Sequence, residues 1–356
     1  SYRGVSYAHS WQWYFALEPV VDLRSDTVTK PSVGMRQAML NADVGDDVYG
    51  EDPTATTLEA KAANLLKTES ALFVTSGTQS NLLALLSHCQ RGDEYIAGSQ
   101  AHSYREEGGG GAVLASIQPQ PIENNHDGTI DLNKVEAAIK PDDFHYATTR
   151  LFCLENTFFG HPLPISYLEE AASLARHHGL SLHLDGARLF NAAIKQNVPP
   201  HEIAQHFDSI SACLSKGLGA PMGSVLCGTK KFIRDARRWR KMLGGGWRQA
   251  GIVASAGLYA LEHNIERLSH DHKNALLLST LLDQIDGLTV DKPRERTNMV
   301  FVTVPEVVVP ELTSRLRNEG ILISCEYNPI RLVTHLDIDE TAIYRSADAF
   351  RHALSQ

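Results

Sequence analysis

Short apolar runs alternate along this chain with longer stretches in which apolar residues recur at helical spacing. Four of the runs, at residues 71–74, 150–154, 180–184 and 210–214, are followed at once by polar residues or glycine. Alternating strands and helices are typical of a mostly parallel sheet covered by helices. Because ligands of open α/β sheets bind beyond the carboxyl ends of the strands, we expect a functional site among the residues that follow these four runs.

The length of 356 residues corresponds to about two domains at roughly 150 residues each. After Gly257 the pattern changes to a long predicted helix over 252–282, a strand over 299–304, a helix near 309–317 and a strand over 330–333. We therefore predict an α/β protein with a large domain over 21–265 and a smaller C-terminal α/β domain over 266–356. Residues 1–20 show no secretory signal pattern, and we interpret them as an arm or an artefact without a function.

Charge and cysteine content exclude several classes of function. With 33 Lys+Arg against 42 Asp+Glu, the net charge of -9 argues against a binder of nucleic acid or of anionic membranes. No run of 18 apolar residues predicts a membrane span. The five cysteines form no C-x-x-C pair, which favours a reducing compartment such as the cytoplasm. No histidine or cysteine cluster has metal-ligand spacing, so we predict no catalytic metal.

A candidate phosphate site follows the first apolar run. Gly77 and Thr78 lie between this predicted strand and a helix with leucines at helical spacing. Free N–H groups and the positive end of the helix dipole attract a phosphate at such a turn. An ordinary turn between a strand and a helix has the same sequence pattern, so this feature alone does not establish a phosphate site.

Two charged residues end later apolar runs. Asp185 ends one run, where a carboxylate needs a cationic or hydrogen-bonding partner, although a helix cap or a structural pair with Arg188 explains it equally well. Lys216 ends another, where partial desolvation makes a lysine amine the nucleophile that Schiff-base chemistry needs. A lysine that extends its amine to solvent is the alternative. In this chain order, a phosphate turn, an acid and a lysine are what a pyridoxal phosphate enzyme requires.

Five motifs of the chain resemble those of the threonine aldolases, which belong to fold-type I of the pyridoxal phosphate enzymes (the aspartate aminotransferase fold). The resemblance extends from about residue 21 to residue 353. Its motifs are Asp-Leu-Arg-Ser-Asp-Thr at 22–27, Val-Gly-Asp-Asp-Val-Tyr-Gly at 44–50, Leu-Asp-Gly-Ala-Arg at 184–188, Leu-Ser-Lys-Gly-Leu-Gly at 214–219 and Arg-Leu-Val-Thr-His at 331–335.

The resemblance implies a role for each matching residue. Lys216 would bind pyridoxal phosphate covalently, Asp185 would pair with its ring nitrogen, and His102 would stack on the ring. The phosphate would be bound by Gly77 and Thr78, with Arg248 from a neighbouring subunit. The carboxylate of the amino-acid substrate would be held by Ser25, Arg188 and Arg331. His145 would lie near the substrate hydroxyl and Lys241 beside the site. The family also implies a homotetramer, a dimer of dimers with sites at the dimer interfaces.

The activity implied is retro-aldol cleavage of L-threonine or L-allo-threonine to glycine and an aldehyde. One departure leaves an alternative open, because Phe158 and Phe159 replace a His-Asn pair of the family pattern. A repacked pocket wall that alters aldehyde preference explains the change. A site turned to amino-acid racemisation, such as that of alanine, explains it too. A binding protein without catalysis is disfavoured because the lysine, the acid and the carboxylate arginines are all present.

Overall fold

The computed structural model describes residues 20–291 and 295–355, so the interpretation of residues 1–20 falls almost wholly outside it. In the described chain the strands are β1 (Val21–Asp22), β2 (Ser70–Val74), β3 (Asp93–Gly98), β4 (Gln118–Ile122), β5 (Thr148–Glu155), β6 (Ser181–Gly186), β7 (Ser209–Cys213), β8 (Ser224–Gly228), β9 (Thr289–Val290), β10 (Met299–Thr303), β11 (Ile321–Leu322) and β12 (Ile330–Val333).

The α-helices of the same residues are α1 (Val33–Leu40), α2 (Pro53–Leu66), α3 (Gly77–His88), α4 (His102–Arg105), α5 (Gly110–Val113), α6 (Leu132–Ala138), α7 (Ile165–His177), α8 (Leu189–Gln196), α9 (Pro200–Ala204), α10 (Lys230–Met242), α11 (Gly251–His263), α12 (Leu268–Leu282), α13 (Val309–Asn318) and α14 (Glu340–Ser355). None of the helices described is both long and apolar enough to cross a lipid bilayer.

Seven strands form one large sheet in the order β2-β8-β7-β6-β5-β3-β4. All neighbours from β7 to β4 pair in parallel, and only β8 runs against both of its neighbours, β7 and β2. The four apolar runs that predicted strands lie in this sheet as β2, β5, β6 and β7, so the predicted mostly parallel α/β fold is confirmed. The strands β5, β6 and β7 are adjacent, and the polar residues that follow them meet at one edge.

The local reasons for this order are visible around β7 and α3. Every residue of β7 is buried, as expected for a central strand covered on both faces. Helix α3 begins where the Ser76 side chain accepts a hydrogen bond from the Gln79 N–H. Its buried residues pack it over the sheet, so its first turn is held at the carboxyl edge.

The single long helix predicted over 252–282 is wrong, because the chain forms α11 and α12 with a break after His263. The Asn264 N–H ends α11 on the Ala260 carbonyl, and its side-chain amide donates to the Leu218 carbonyl at 2.8 Å. The apolar spacing continues through the break, which is why the sequence pattern does not show it. The bond to Leu218 ties the break to the loop that carries Lys216.

Most of the buried apolar residues lie in a large cluster around the seven-stranded sheet and in a second one around β9–β12 and α12–α14. Val21 and Leu23 pack in the second cluster, because β1 pairs in parallel with β11. The domain boundary near residue 265 stays a prediction. A hydrogen bond from the Val333 N–H to the Leu23 carbonyl brings the segment with Ser25 next to β12, the strand that carries Arg331.

Candidate active site

The carboxyl ends of β5, β6 and β7 bring together the acid and the lysine that the sequence analysis selected. Glu155 and Asp185 are register partners in β5 and β6, and Asp185 pairs with Ser211 of β7. Lys216 follows β7 by three residues. The parallel pairing thus places two carboxyl groups and the lysine at one edge of the sheet.

The Asp185 side chain is 4% exposed and is held by two donors. The Asn81 amide of α3 donates to its Oδ2 at 2.8 Å, and the Ala187 N–H donates to its Oδ1 at 3.1 Å. Each carboxylate oxygen has a second lone pair, so Asp185 can accept a further N–H hydrogen bond from a bound ring.

Lys216 is partly buried, and no described residue forms a hydrogen bond or an ion pair with its amine. Its positive charge lowers the pKa of Asp26 and of Glu155, so the amine is close to both acids. Burial, and then the charge of Asp185, raise the pKa of Glu155 to about 7 despite Lys216. The lysine is therefore an unpaired amine inside a group of acids.

The first turn of α3 lies at the same edge. No described residue accepts a hydrogen bond from the N–H groups of Gly77 and Thr78. A side chain at Gly77 would place its Cβ 2.9 Å from the Cys213 Sγ at the end of β7, so only glycine fits there without a shift. Two free N–H groups at a helix start form a site suited to a phosphate.

His102 begins α4 and is fixed from two sides. Its backbone N–H donates to Glu155 Oε2, and its Nδ1 lies 2.8 Å from Glu107 Oε1. The hydrogen bond to Glu107 raises the pKa of His102, and the charge of Asp185 adds to it. Ligand atoms of His102, Glu107 and Asp185 all lie within 4.8 Å of one another. A histidine ring is thereby held beside the Asp185 carboxylate.

Two arginines on the other side of the lysine differ in their partners. Arg188 forms a two-point ion pair with the buried Asp26, through Nε at 2.8 Å and Nη2 at 2.6 Å. Arg331 on β12 has no carboxylate partner among the described residues, and its Nη2 donates only to the Arg24 carbonyl at 3.4 Å. Burial, and then the charge of Arg188, lower the pKa of Arg331. This guanidinium can therefore take a carboxylate from solution.

Ser25 lies in the same segment as Asp26, and its Oγ accepts a hydrogen bond from the Thr27 N–H. The hydroxyl hydrogen stays available for a further acceptor. The segment over 25–26 is thus adjacent to both arginines, because Asp26 binds Arg188 and the preceding Arg24 carbonyl accepts a hydrogen bond from Arg331.

Three predicted residues do not join this cluster within one chain. His145 precedes β5 and is exposed, at the amino-terminal edge of the sheet, and the eight-residue strand between it and the site spans about 23 Å. Arg248 pairs with Asp46 and is 56% exposed. Lys241 is exposed near the end of α10, with Gly246 packed against its side chain.

Phe158 and Phe159 follow β5 and differ from each other in burial. Phe158 is 5% exposed and Phe159 is 40% exposed, and their rings meet edge to face at 4.6 Å. Phe159 has a left-handed φ of 44°, and its carbonyl accepts a hydrogen bond from Arg296. Phe158 packs so closely on Gly128 that a Cβ there would lie 2.4 Å away. Phe158 is therefore packed in the interior, whereas Phe159 keeps part of its ring exposed.

Sequence reasoning missed four side chains of this cluster: Asp26, Asn81, Glu107 and Glu155. Asp26 lies in the motif at 22–27, and Glu155 directly follows the apolar run at 150–154. A charged residue beside an apolar run could have indicated that both belong to the site. Asn81 and Glu107 carry no such signal, because polar residues on a helix or in a loop usually face solvent.

Known proteins match this chain over most of its length. A family model described as beta-eliminating lyase matches residues 22–305. The low specificity L-threonine aldolase of Escherichia coli K12 is 50% identical over 338 residues, covering 95% of this chain and 100% of the relative. The low-specificity L-threonine aldolase 1 of Arabidopsis thaliana is 44% identical, covering 94% and 96%. The solved threonine aldolase of Leishmania major superposes with a TM-score of 0.80 at 21% identity, covering 93% and 99%, which shows the shared fold.

Proposed function

The chain belongs to the beta-eliminating lyase family, beside the low-specificity L-threonine aldolases, and from that membership we propose how its residues cleave L-threonine and L-allo-threonine to glycine and acetaldehyde with pyridoxal phosphate. The single observation that carries the assignment of residues is the unpaired Lys216 amine, which lies among Asp26, Glu155 and His102 at the carboxyl edge of the sheet.

The donors and acceptors at this edge fit the cofactor. The free N–H groups of Gly77 and Thr78 suit its phosphate, and the spare lone pairs of Asp185 suit a protonated ring nitrogen. Lys216 would carry the cofactor covalently, and His102 would cover one face of the ring. When bound, pyridoxal phosphate accepts the electron pair of the bond that breaks at the substrate Cα.

The arginines orient the amino acid. Arg331 supplies a guanidinium fork for the substrate carboxylate, which it can bind at two points. Arg188 contributes the N–H groups that Asp26 leaves free, and Ser25 contributes its hydroxyl. Holding the carboxylate fixes the rotation about the bond between the substrate nitrogen and Cα. This rotation selects the Cα–Cβ bond for cleavage rather than the Cα–H bond.

A base must remove the proton from the substrate hydroxyl as the aldehyde leaves. His102 of the same chain is a candidate for this base. It lies at the site, and its hydrogen bond to Glu107 raises the pKa of its ring. We assign His145 to the site of another copy, because it lies at the opposite edge of its own sheet. Its exposed neighbours Phe144 and Tyr146 support burial against such a copy.

We extend the same proposal to the assembly. Arg248 and Lys241 would complete a neighbour's phosphate and substrate sites in a homotetramer, and their exposure supports this role. The five cysteines of the chain are free, which supports a reducing compartment such as the cytoplasm.

Racemisation on the same scaffold is not favoured. The Escherichia coli and Arabidopsis thaliana relatives, which cover nearly the whole chain, are named as threonine aldolases, and Phe158 and Phe159 are explained by packing with Gly128 and Arg296. Their effect would be on which aldehydes the pocket admits.

The reaction is tested by proton NMR of the cofactor-loaded protein in D2O with L-threonine, L-allo-threonine and L-alanine in one tube. We expect glycine and acetaldehyde to form from the two hydroxy amino acids. Loss of the alanine α-proton while both hydroxy amino acids stay intact would contradict the aldolase and support a racemase.

A further inference from the structure

A chain of buried polar side chains leads away from Asp185 into the protein. Asn81 Nδ2 donates to Asp185 Oδ2 and to Glu107 Oε1, each at 2.8 Å. Asn81 Oδ1 lies 3.1 Å from His183 Nε2, and His183 Nδ1 lies 2.8 Å from Ser209 Oγ. His88 Nε2 lies 2.7 Å from the same Ser209 Oγ. We call His88, Ser209, His183 and Asn81 the relay.

His88, Ser209 and His183 lie beneath the site, and Asn81 connects them to it. Asn81, His183 and Ser209 are buried, and His88 is partly buried and stacked on Phe232. The four residues come from α3, β6 and β7. None of them has a role in the reaction described above, and buried polar groups of this kind are costly unless every hydrogen bond is made.

The two carboxyl groups fix the direction of every hydrogen bond in the relay. The Asn81 amide must present its NH2 group to the oxygens of Asp185 and Glu107, because its own oxygen would repel them. Its oxygen therefore faces His183 and accepts from Nε2–H. Burial lowers the pKa of His183 to about 3 and that of His88 to about 4, so both rings are neutral near pH 7.

A neutral ring has one donor and one acceptor nitrogen. His183 donates from Nε2, so its Nδ1 accepts from the Ser209 hydroxyl. The Ser209 oxygen then accepts from His88 Nε2–H. All donors point the same way, from His88 to the two carboxyl groups, and such chains strengthen each member by polarisation.

We propose that the relay is a positioning unit, which presents both Asn81 N–H hydrogens to Asp185 and Glu107 and so holds Asp185 as the ring-nitrogen acceptor and Glu107 as the partner of His102. This inference rests on the proposed function, because it assumes that Asp185 faces the ring nitrogen of pyridoxal phosphate. One amide thereby sets the electrostatics at the ring nitrogen and the orientation of the histidine over the ring.

The first test is nitrogen NMR of the 15N-histidine-labelled enzyme, with and without cofactor, with the His183 signals assigned from a His183→Gln variant. The inference predicts a neutral ring protonated at Nε2 from pH 5.5 to pH 8.5. In the wild-type spectrum, a His183 ring protonated at Nδ1, or a doubly protonated ring, would overturn the relay.

The second test uses variants with the wild type as reference. Asn81→Leu and His183→Leu should weaken pyridoxal phosphate binding at least tenfold, and ring-15N-labelled cofactor should shift toward its unprotonated value. His183→Gln keeps a donor toward Asn81 and should stay within threefold of wild type. Thr149→Val, which removes a buried hydrogen bond to Glu94 in the same sheet, should change neither property.

These results separate the inference from the proposed function. If folded Asn81→Leu binds pyridoxal phosphate as tightly as wild type and gives the same ring-nitrogen shift, the relay is overturned, even if threonine is cleaved. The opposite outcome has two parts: the ring nitrogen is protonated in wild type but not in Asn81→Leu, and wild type does not cleave threonine. That outcome would support the relay and refute the aldolase.

Discussion

Arg188 and Asp26, which are 162 residues apart in the chain, form a buried two-point ion pair next to the candidate catalytic lysine. Burial raises the pKa of Asp26, but Arg188, Lys216 and Asn298 outweigh it and hold the pKa well below its usual range. Asp26 thus fixes one arginine, whereas Arg331 keeps its guanidinium free. As a consequence, Arg188 is held in a structural ion pair, and Arg331 is the arginine that can bind a carboxylate at two points.

Asp26→Asn should destabilise the protein, because it leaves the Arg188 charge buried and unpaired. Losing one member of a buried pair costs about 3–5 kcal/mol. Urea unfolding of the cofactor-free protein at pH 7 measures the loss. Asp22→Asn, which opens the more exposed pair with Arg24, is the control and should cost no more than about 1 kcal/mol. Equal losses in both variants would refute the assignment.

Arg331→Lys should weaken substrate binding, because a lysine cannot bind a carboxylate at two points. We expect KM for L-threonine to rise at least tenfold, which corresponds to about 1.4 kcal/mol, with a smaller change in kcat. Steady-state kinetics with a coupled aldehyde assay measure both. Arg24→Lys keeps the carbonyl contacted by Arg331 and should leave KM within twofold. An unchanged KM in Arg331→Lys would remove this arginine from the carboxylate site.

Glu155→Gln should alter how stability depends on pH. The pKa of Glu155 is raised to about 7 in the folded protein, against about 4.3 in an unfolded chain. The contribution of Glu155 to stability is therefore full below about pH 4 and is lost as the pH rises to about 7. Glutamine cannot ionise, so Tm of the variant relative to wild type should rise between pH 4.5 and pH 8.

Differential scanning calorimetry of the cofactor-free proteins checks this difference. Glu106→Gln, at an exposed neighbouring acid, should run parallel to wild type across the same range. A Glu155→Gln curve that is also parallel would show that folding does not raise the pKa of Glu155.

The two aromatic residues after β5 should respond differently to substitution. Phe158→Ala removes a buried ring and should cost about 3–5 kcal/mol. Phe159→Asn loses an edge contact but places a residue that tolerates left-handed φ at 44°, so we expect a cost below about 1 kcal/mol. Unfolding curves test both values. Loss of threonine cleavage in a folded Phe159→Asn variant would show that this ring has a role in the reaction as well as in packing.

The sequence predicted those parts of the fold and site that have local signals. The strands β2, β5, β6 and β7 are apolar runs, and Asp185 and Lys216 were found because each charge directly ends such a run. The antiparallel β8 and the break at Asn264 were not predicted, since their apolar patterns do not differ from those of a parallel strand and a continuous helix.

The rest of the site depends on contacts between distant segments. Asn81 meets Asp185 across 104 residues, and Asp26 meets Arg188 across 162. Neither pairing is visible in the sequence, because a charged residue beside an apolar run does not show which distant residue it meets. His145 shows the opposite limit, since the family resemblance implies a role for it near the substrate hydroxyl but does not indicate which subunit's site it would serve.

The most direct test of the account is to find the lysine that carries the cofactor. The loaded protein is reduced with sodium borohydride, digested and mapped by mass spectrometry, with Lys216→Ala as the control. The account predicts a phosphopyridoxyl mass on the peptide that contains Lys216, and none at the corresponding peptide of the variant. A label on Lys241 or any other lysine, with Lys216 unmodified, would contradict it.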